Sequence, residues 1–99
     1  SRRIRHGLFF AHLALEKLLK ALVCQHTKDL APRIHNLVRL AESAGLAPNP
    51  SQLDLLAEMN QFNIEGRYPG TTLPPPTSDE AEGFMRRTEE VYQWLIKQL

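Results

Sequence analysis

Apolar residues recur early in the chain at Ile4, Leu8, Ala11, Leu15, Leu18 and Leu22. Intervals of three and four residues keep one side of an α-helix apolar, because each residue turns the helix by about 100°. The spacing predicts a helix from about Arg2 to Gln25, roughly 35 Å long. No proline interrupts it, and Glu16 and Lys20 form a favourable pair one turn apart. A second helix is expected from about Pro32 to Ala44, with Ile34, Leu37, Val38 and Ala41 on its apolar face. Pro32 suits a first-turn position and Gly45 the residue just past the end. The segment Leu46-Ala47-Pro48-Asn49-Pro50 reads as a loop, because two prolines remove donors and fix the backbone.

A third helix is expected from Ser51, a favourable N-cap, to about Asn63. Leu55, Leu56, Met59 and Phe62 supply its buried stripe. Gly66, Pro69-Gly70 and Pro74-Pro75-Pro76 then mark a long loop. The fourth helix starts at Thr77 or Ser78, where Thr77 and Glu80 form a capping box. Acidic Asp79, Glu80 and Glu82 suit the positive end of that helix. Phe84, Thr88, Val91 and Leu95 line one face; Tyr92, Ile96 and Leu99 widen it. No stretch alternates as a strand would. The expected fold is all-α, an up-down antiparallel four-helix bundle, with residues 1–99 as one domain.

Composition narrows the function more than the fold. The chain has 99 residues, 42% apolar and 23% charged, which suits one globular core. Twelve Lys and Arg against 11 Asp and Glu leave a net charge of +1. That excludes a strongly basic nucleic-acid arm and an acidic tail. The single cysteine, Cys24, excludes an internal disulfide and a multi-cysteine metal site. Its apolar neighbours suit a buried, inert thiol. No apolar run approaches the ~20 residues needed to span a bilayer. No long apolar region or cleavage site follows the basic opening at Arg2, Arg3 and Arg5. The expectation is a cytoplasmic protein with no membrane contact. The chain opens inside a helical pattern without a Met, which suits a piece of a longer protein.

The first helix carries a second face. Arg5, Phe9, His12, Glu16 and Lys20 fall within about 80° of each other, beside the apolar stripe. A guanidinium, an imidazole and an acid–cation pair form a polar groove suited to phosphate or base contacts. The same face also reads as a solvated surface or a self-associating one. His35 is expected to open the second helix, where it caps, binds a ligand or bonds a neighbouring helix. Arg67-Tyr68-Pro69 offers a bidentate fork beside an aromatic ring with a polar tip. It could hold a phosphate and stack a base, or plug the end of the bundle. Arg86-Arg87 is followed at once by Glu89 and Glu90, the pattern of a salt-laced exposed face. No His, Asp and Glu cluster has metal-site spacing, and no cofactor is implied.

Three elements together resemble a known family. Phe10-Ala11-His12-Leu13-Ala14-Leu15-Glu16-Lys17-Leu18-Leu19-Lys20-Ala21-Leu22 resembles the signature helix of HEPN domains (higher eukaryote and prokaryote nucleotide-binding). Ile34-His35-Asn36-Leu37 resembles that family's His-Asp/Asn-Leu element, and Glu65-Gly66-Arg67-Tyr68-Pro69 its Ala-Arg-Tyr-Pro element. The resemblance covers about residues 8 to 99. The helix that usually precedes the signature helix has no counterpart here.

The resemblance implies an all-α bundle that commonly dimerises and deals with nucleotides or RNA. It often stands beside a small nucleotidyltransferase in a toxin–antitoxin pair. For a nucleotide- or RNA-binding dimer the candidate ligand contacts in this chain are His12, Glu16, Lys20, His35, Arg67 and Tyr68. Many members of the wider family are metal-independent ribonucleases that use an Arg and, four to six residues later, a His late in the chain. No His follows His35, so that late motif is absent. Arg5 and His12 have the spacing on a different helix; in a ribonuclease Arg5 would stabilise the phosphorane and His12 would act as base. The reading leans away from enzymatic activity. A non-catalytic module that mates with a second copy or a partner protein is the remaining alternative.

Overall fold

The computed structural model describes residues 2–63 and 76–99. Its elements are α1 (Arg2–Thr27), α2 (Leu37–Ser43), α3 (Pro50–Met59) continued by a 3-10 turn (Asn60–Phe62), and α4 (Ser78–Ile96). No strand occurs among the described residues. Among the described residues the protein is an all-α bundle of four helices, as the apolar pattern predicts.

The 26 residues of α1 span about 39 Å at 1.5 Å per residue, which equals the longest dimension of the molecule, 39 Å. It is therefore the axis on which the rest is assembled. Both α2 and α4 pack against it, as does the 3-10 turn. Cover from more than one side buries a wider arc than a single seam. Leu8, Ala11, Leu15 and Leu22 are buried as expected, but so are Leu19 and Val23. Ile4 and Leu18 lie at the edges of the core.

Helix boundaries follow the available caps more closely than the apolar pattern. α2 begins at Leu37, not at Pro32, because Asn36 supplies the capping oxygen. Its Oδ1 accepts from the amides of Val38 at 3.0 Å and Arg39 at 3.3 Å. Proline also steers the residue before it away from helical backbone, which disfavours a start at Ala31-Pro32. The cap of α3 lies two residues earlier than expected, at Asn49 rather than Ser51. Asn49 Oδ1 accepts from the Gln52 amide and Gln52 Oε1 accepts from the Asn49 amide, both at 2.8 Å. Pro50 takes the first helical position, where its missing N–H costs nothing. α4 starts at the expected box, Thr77 Oγ1 accepting from the Glu80 amide at 3.1 Å and Glu80 Oε1 from the Thr77 amide at 2.8 Å.

Contacts fix the direction of each helix. His35 meets Glu16, and Gly45 lies against the His26 ring, so α2 runs in the same sense as α1. Asn60 at the end of α3 meets Asn36 and Leu37 at the start of α2, so α3 runs back. Glu58 pairs with Arg87 at 2.6 Å and the Phe62 ring packs edge-on against Phe84 at 5.4 Å. Asn49 and Gln52, at the start of α3, border one cleft with Glu90 and Val91, so α4 reverses direction again. At their far ends, Gln25 Nε2 donates to the Gln98 carbonyl at 3.4 Å. Thus α1, α2 and α4 point one way and α3 the other. The return leg that strict alternation assigns to a helix is made by non-helical residues 28–36, which open on Lys28 at φ 60°.

The end of α2 is a complete Schellman stop. The Gly45 amide donates to Glu42 at 3.0 Å and the Leu46 amide to Ala41 at 3.1 Å. This geometry places Gly45 at φ +70°, and a Cβ there would sit 2.7 Å from His26 Cε1 and Nε2. Because the exposed His26 ring can swing aside, the left-handed backbone sets most of the cost. Gly45→Ala is expected to destabilise the fold by about 1–2 kcal/mol, read as a lower urea midpoint with an unchanged slope.

Candidate functional site

Residues His12, Glu16 and Lys20 follow one another at intervals of four on α1, so their side chains form one row along the helix. The return leg brings His35 against the middle of that row. Glu16 Oε2 accepts from Lys20 Nζ at 2.8 Å and from His35 Nδ1 at 2.8 Å. Glu16 Oε1 lies 3.6 Å from His12 Nδ1, too far for a hydrogen bond. Exposure rises outward across the cluster. The His12 side chain is 1% exposed, Glu16 9%, Lys20 25% and His35 64%.

The electrostatics follow that gradient. Burial pushes the Glu16 carboxyl up, but hydrogen bonds from Lys20 and His35 and their charges outweigh it. The net result lies below its ordinary value of 4.5, so Glu16 is an anion at neutral pH. Burial also holds the His12 imidazole below its ordinary 6.5, against the pull of the Glu16 charge and the His35 backbone; the His35 ring adds to the lowering. His12 is therefore a neutral ring, and its buried Nε2 has no hydrogen-bond partner among the described residues.

This placement revises part of the expected groove. His12 does not stand on an open flank of α1; packing on both sides of the helix draws it into the core. It supports Glu16 from behind and has no open path to a ligand. Nor does His35 open α2, since it precedes the Asn36 cap. Lys20 and His35 are the members of the row that reach solvent. Arg5 is half-buried, roughly 10 Å further along α1 from His12. Phe9 is half-buried and packs edge-on against Phe10 at 5.4 Å, and Phe10 is 59% exposed. Arg67 and Tyr68 lie outside the described residues.

Two asparagines complete the surroundings. Asn60 Oδ1 accepts from the Leu37 amide at 2.8 Å, and Asn60 Nδ2 donates to Asn36 Oδ1 at 3.1 Å. The start of α2 is thereby tied to the end of α3, which holds His35 in place one residue upstream. Nothing in the apolar spacing marked Asn60 for this role. Cys24 is half-buried, not fully buried. Among the described residues no group of His, Cys, Asp and Glu could hold a metal ion, and no helix is long and apolar enough to cross a membrane.

Glu16 and Lys20 come from one recognisable stretch and His35 from another, and the fold joins them at a single carboxylate. A model of the HEPN domain matches residues 1–99. The chain belongs to the HEPN domain family. Membership places it among domains concerned with nucleotides and RNA, which commonly dimerise. Searches of curated proteins and of solved structures returned no match. In this HEPN domain each residue of His35-Asn36-Leu37 has a distinct task. His35 bonds the signature helix, Asn36 caps α2, and Leu37 is fully buried.

The cluster predicts an acid-labile fold. Both His12 and Glu16 have depressed folded-state values, so the unfolded chain takes up their protons first as pH falls. The stability they contribute is present above 6.5 for His12 and above 4.5 for Glu16, and is lost below those values. One such proton gives a slope of at most about 1.4 kcal/mol per pH unit. Urea unfolding from pH 7.5 to 4 is expected to show stability falling below pH 6.5. His12→Gln should flatten the upper part of that slope, and an unchanged slope would refute the assignment.

Proposed function

We propose that this HEPN domain is a nucleotide- or RNA-binding homodimer. The observation that supports it is the convergence of Lys20 and His35, both open to solvent, on the buried Glu16 carboxylate. An ammonium and an imidazole are presented side by side with their positions fixed by a shared anion. Lys20 takes a phosphate oxygen, and His35 bonds a phosphate or a base edge. Glu16 orients both, with His12 behind it. Arg67 supplies a bidentate contact and Tyr68 a stacking ring to the same ligand. In this reading the domain works in the cytoplasm, beside a small nucleotidyltransferase of a toxin–antitoxin pair.

The ribonuclease alternative through Arg5 and His12 loses support from the burial of His12, because a base must reach the hydroxyl it deprotonates. The reading as an interaction module draws on a different surface. A groove of about 440 Å³ runs between the starts of α1 and α4, lined by Ile4, Gly7, Leu8, Ala81 and Met85 among others. Met85 beside it is 45% exposed. Such an apolar surface suits a second copy of the chain.

Titration of labelled ATP, GTP and short RNAs tests the binding reading. Saturable binding below millimolar is expected for at least one of them. Lys20→Ala should weaken it about tenfold, the loss of one charge-assisted contact of ~1.5 kcal/mol, and Arg67→Ala should do the same. No saturable binding, or affinity unchanged in both variants, would overturn it. Sedimentation across micromolar concentrations is expected to give a dimer; a monomer throughout would remove the homodimer.

A further inference from the structure

The Glu16 carboxylate can only accept hydrogen bonds, so its 2.8 Å contact with His35 Nδ1 puts the ring proton on that nitrogen. In the neutral imidazole the lone pair then belongs to Nε2, across the ring from the carboxylate, on a side chain 64% exposed. Lys20 Nζ sits on the same carboxylate oxygen and is itself a quarter exposed, which sets an ammonium beside the imidazole. His12 closes the inner side against the other oxygen. A fixed tautomer, an outward lone pair and a neighbouring cation are the components of an activated nitrogen nucleophile. We propose that His35 Nε2 is a phosphoryl-acceptor site, so that this face of the domain is modified by phosphoryl donors.

The step balances without any group beyond the donor. Nε2 donates its lone pair to phosphorus and a new N–P bond forms. The bond from phosphorus to the leaving group breaks, and that group keeps the bonding pair. The proton on Nδ1 stays where it is, facing Glu16, whose negative charge offsets the positive charge that develops on the ring. Lys20 lies within reach of the incoming phosphoryl oxygens and stabilises their charge. With phosphoramidate as donor, the leaving nitrogen is already protonated and departs as ammonia, so the protein supplies no proton. Nucleotide affinity is not required; a chain that binds no nucleotide still reacts.

The experiment is incubation of the intact chain with phosphoramidate, followed by 31P NMR and mass spectrometry under alkaline conditions. His26 is an internal comparator, exposed and with no carboxylate partner among the described residues. His35 is expected to be labelled at Nε2 roughly tenfold faster than His26. Glu16→Gln should remove that advantage while the helical circular dichroism persists, and Lys20→Met should slow His35 alone. Equal rates at the two histidines, labelling at Nδ1 of His35, or an unchanged His35 rate in both variants would overturn the proposal. Should Glu16→Gln fail to fold, the comparison of His35 with His26 in the unaltered chain still decides.

Discussion

A nearly buried carboxylate organises this protein. Glu16 sits on the helix that spans the molecule, and its desolvation is costly unless donors surround it. Lys20 supplies one from the same helix. His35 supplies another from the leg that returns beside α1, and that bond couples local helix geometry to tertiary order. Without it, the segment between α1 and α2 would lose its side-chain tether to the Glu16 carboxylate of the central helix. Ile34 and Leu37 on either side of the bond pack against or into the core, so apolar burial and the charged contact reinforce one another.

The asparagine pair shows how a cap can also be a joint. Asn36 alone would satisfy two free amides at the start of α2. Because Asn60 bonds both Asn36 and the Leu37 amide, the same few atoms stop α3 and start α2. This explains why α-helical geometry ends at Met59 while the chain continues as a 3-10 turn. The tighter winding aims the Asn60 amide at its partners and places Phe62 against Phe84. By contrast, the ion pair between Glu58 and Arg87 is partly exposed on both sides and adds little to stability.

Much of the fold was legible in the chain. The three- and four-residue spacing of Leu8, Ala11, Leu15 and Leu22 identifies α1, and the Thr77–Glu80 box marks the start of α4. The starts of α2 and α3 were not, because apolar periodicity extends past a helix end whenever flanking residues pack on the same core. Ile34 packs in this way without being helical. The side chains that decide those starts, Asn36 and Asn49, are small polar residues that read equally well as loop. The polar row on α1 was visible as a row, and its neighbour His35 as part of a motif. How deep each member lies was not visible, because depth depends on how many helices cover α1. A 100° turn per residue fixes direction around an axis, not distance from solvent, and so His12 passed for a groove residue.

The shared direction of α1 and α4 also has an electrical consequence. Peptide dipoles in antiparallel neighbours largely cancel, whereas in parallel neighbours they add. The two longest helices here therefore give the molecule a net polarity along its 39 Å axis, positive where both begin. Asp79, Glu80 and Glu82 crowd that pole from α4, whereas α1 begins with no acidic residue in its first turn. The acidic first turn of α4 thus serves as counter-charge for its own amide end, while the first turns of α1 bring Arg3 and Arg5 to the same end of the molecule.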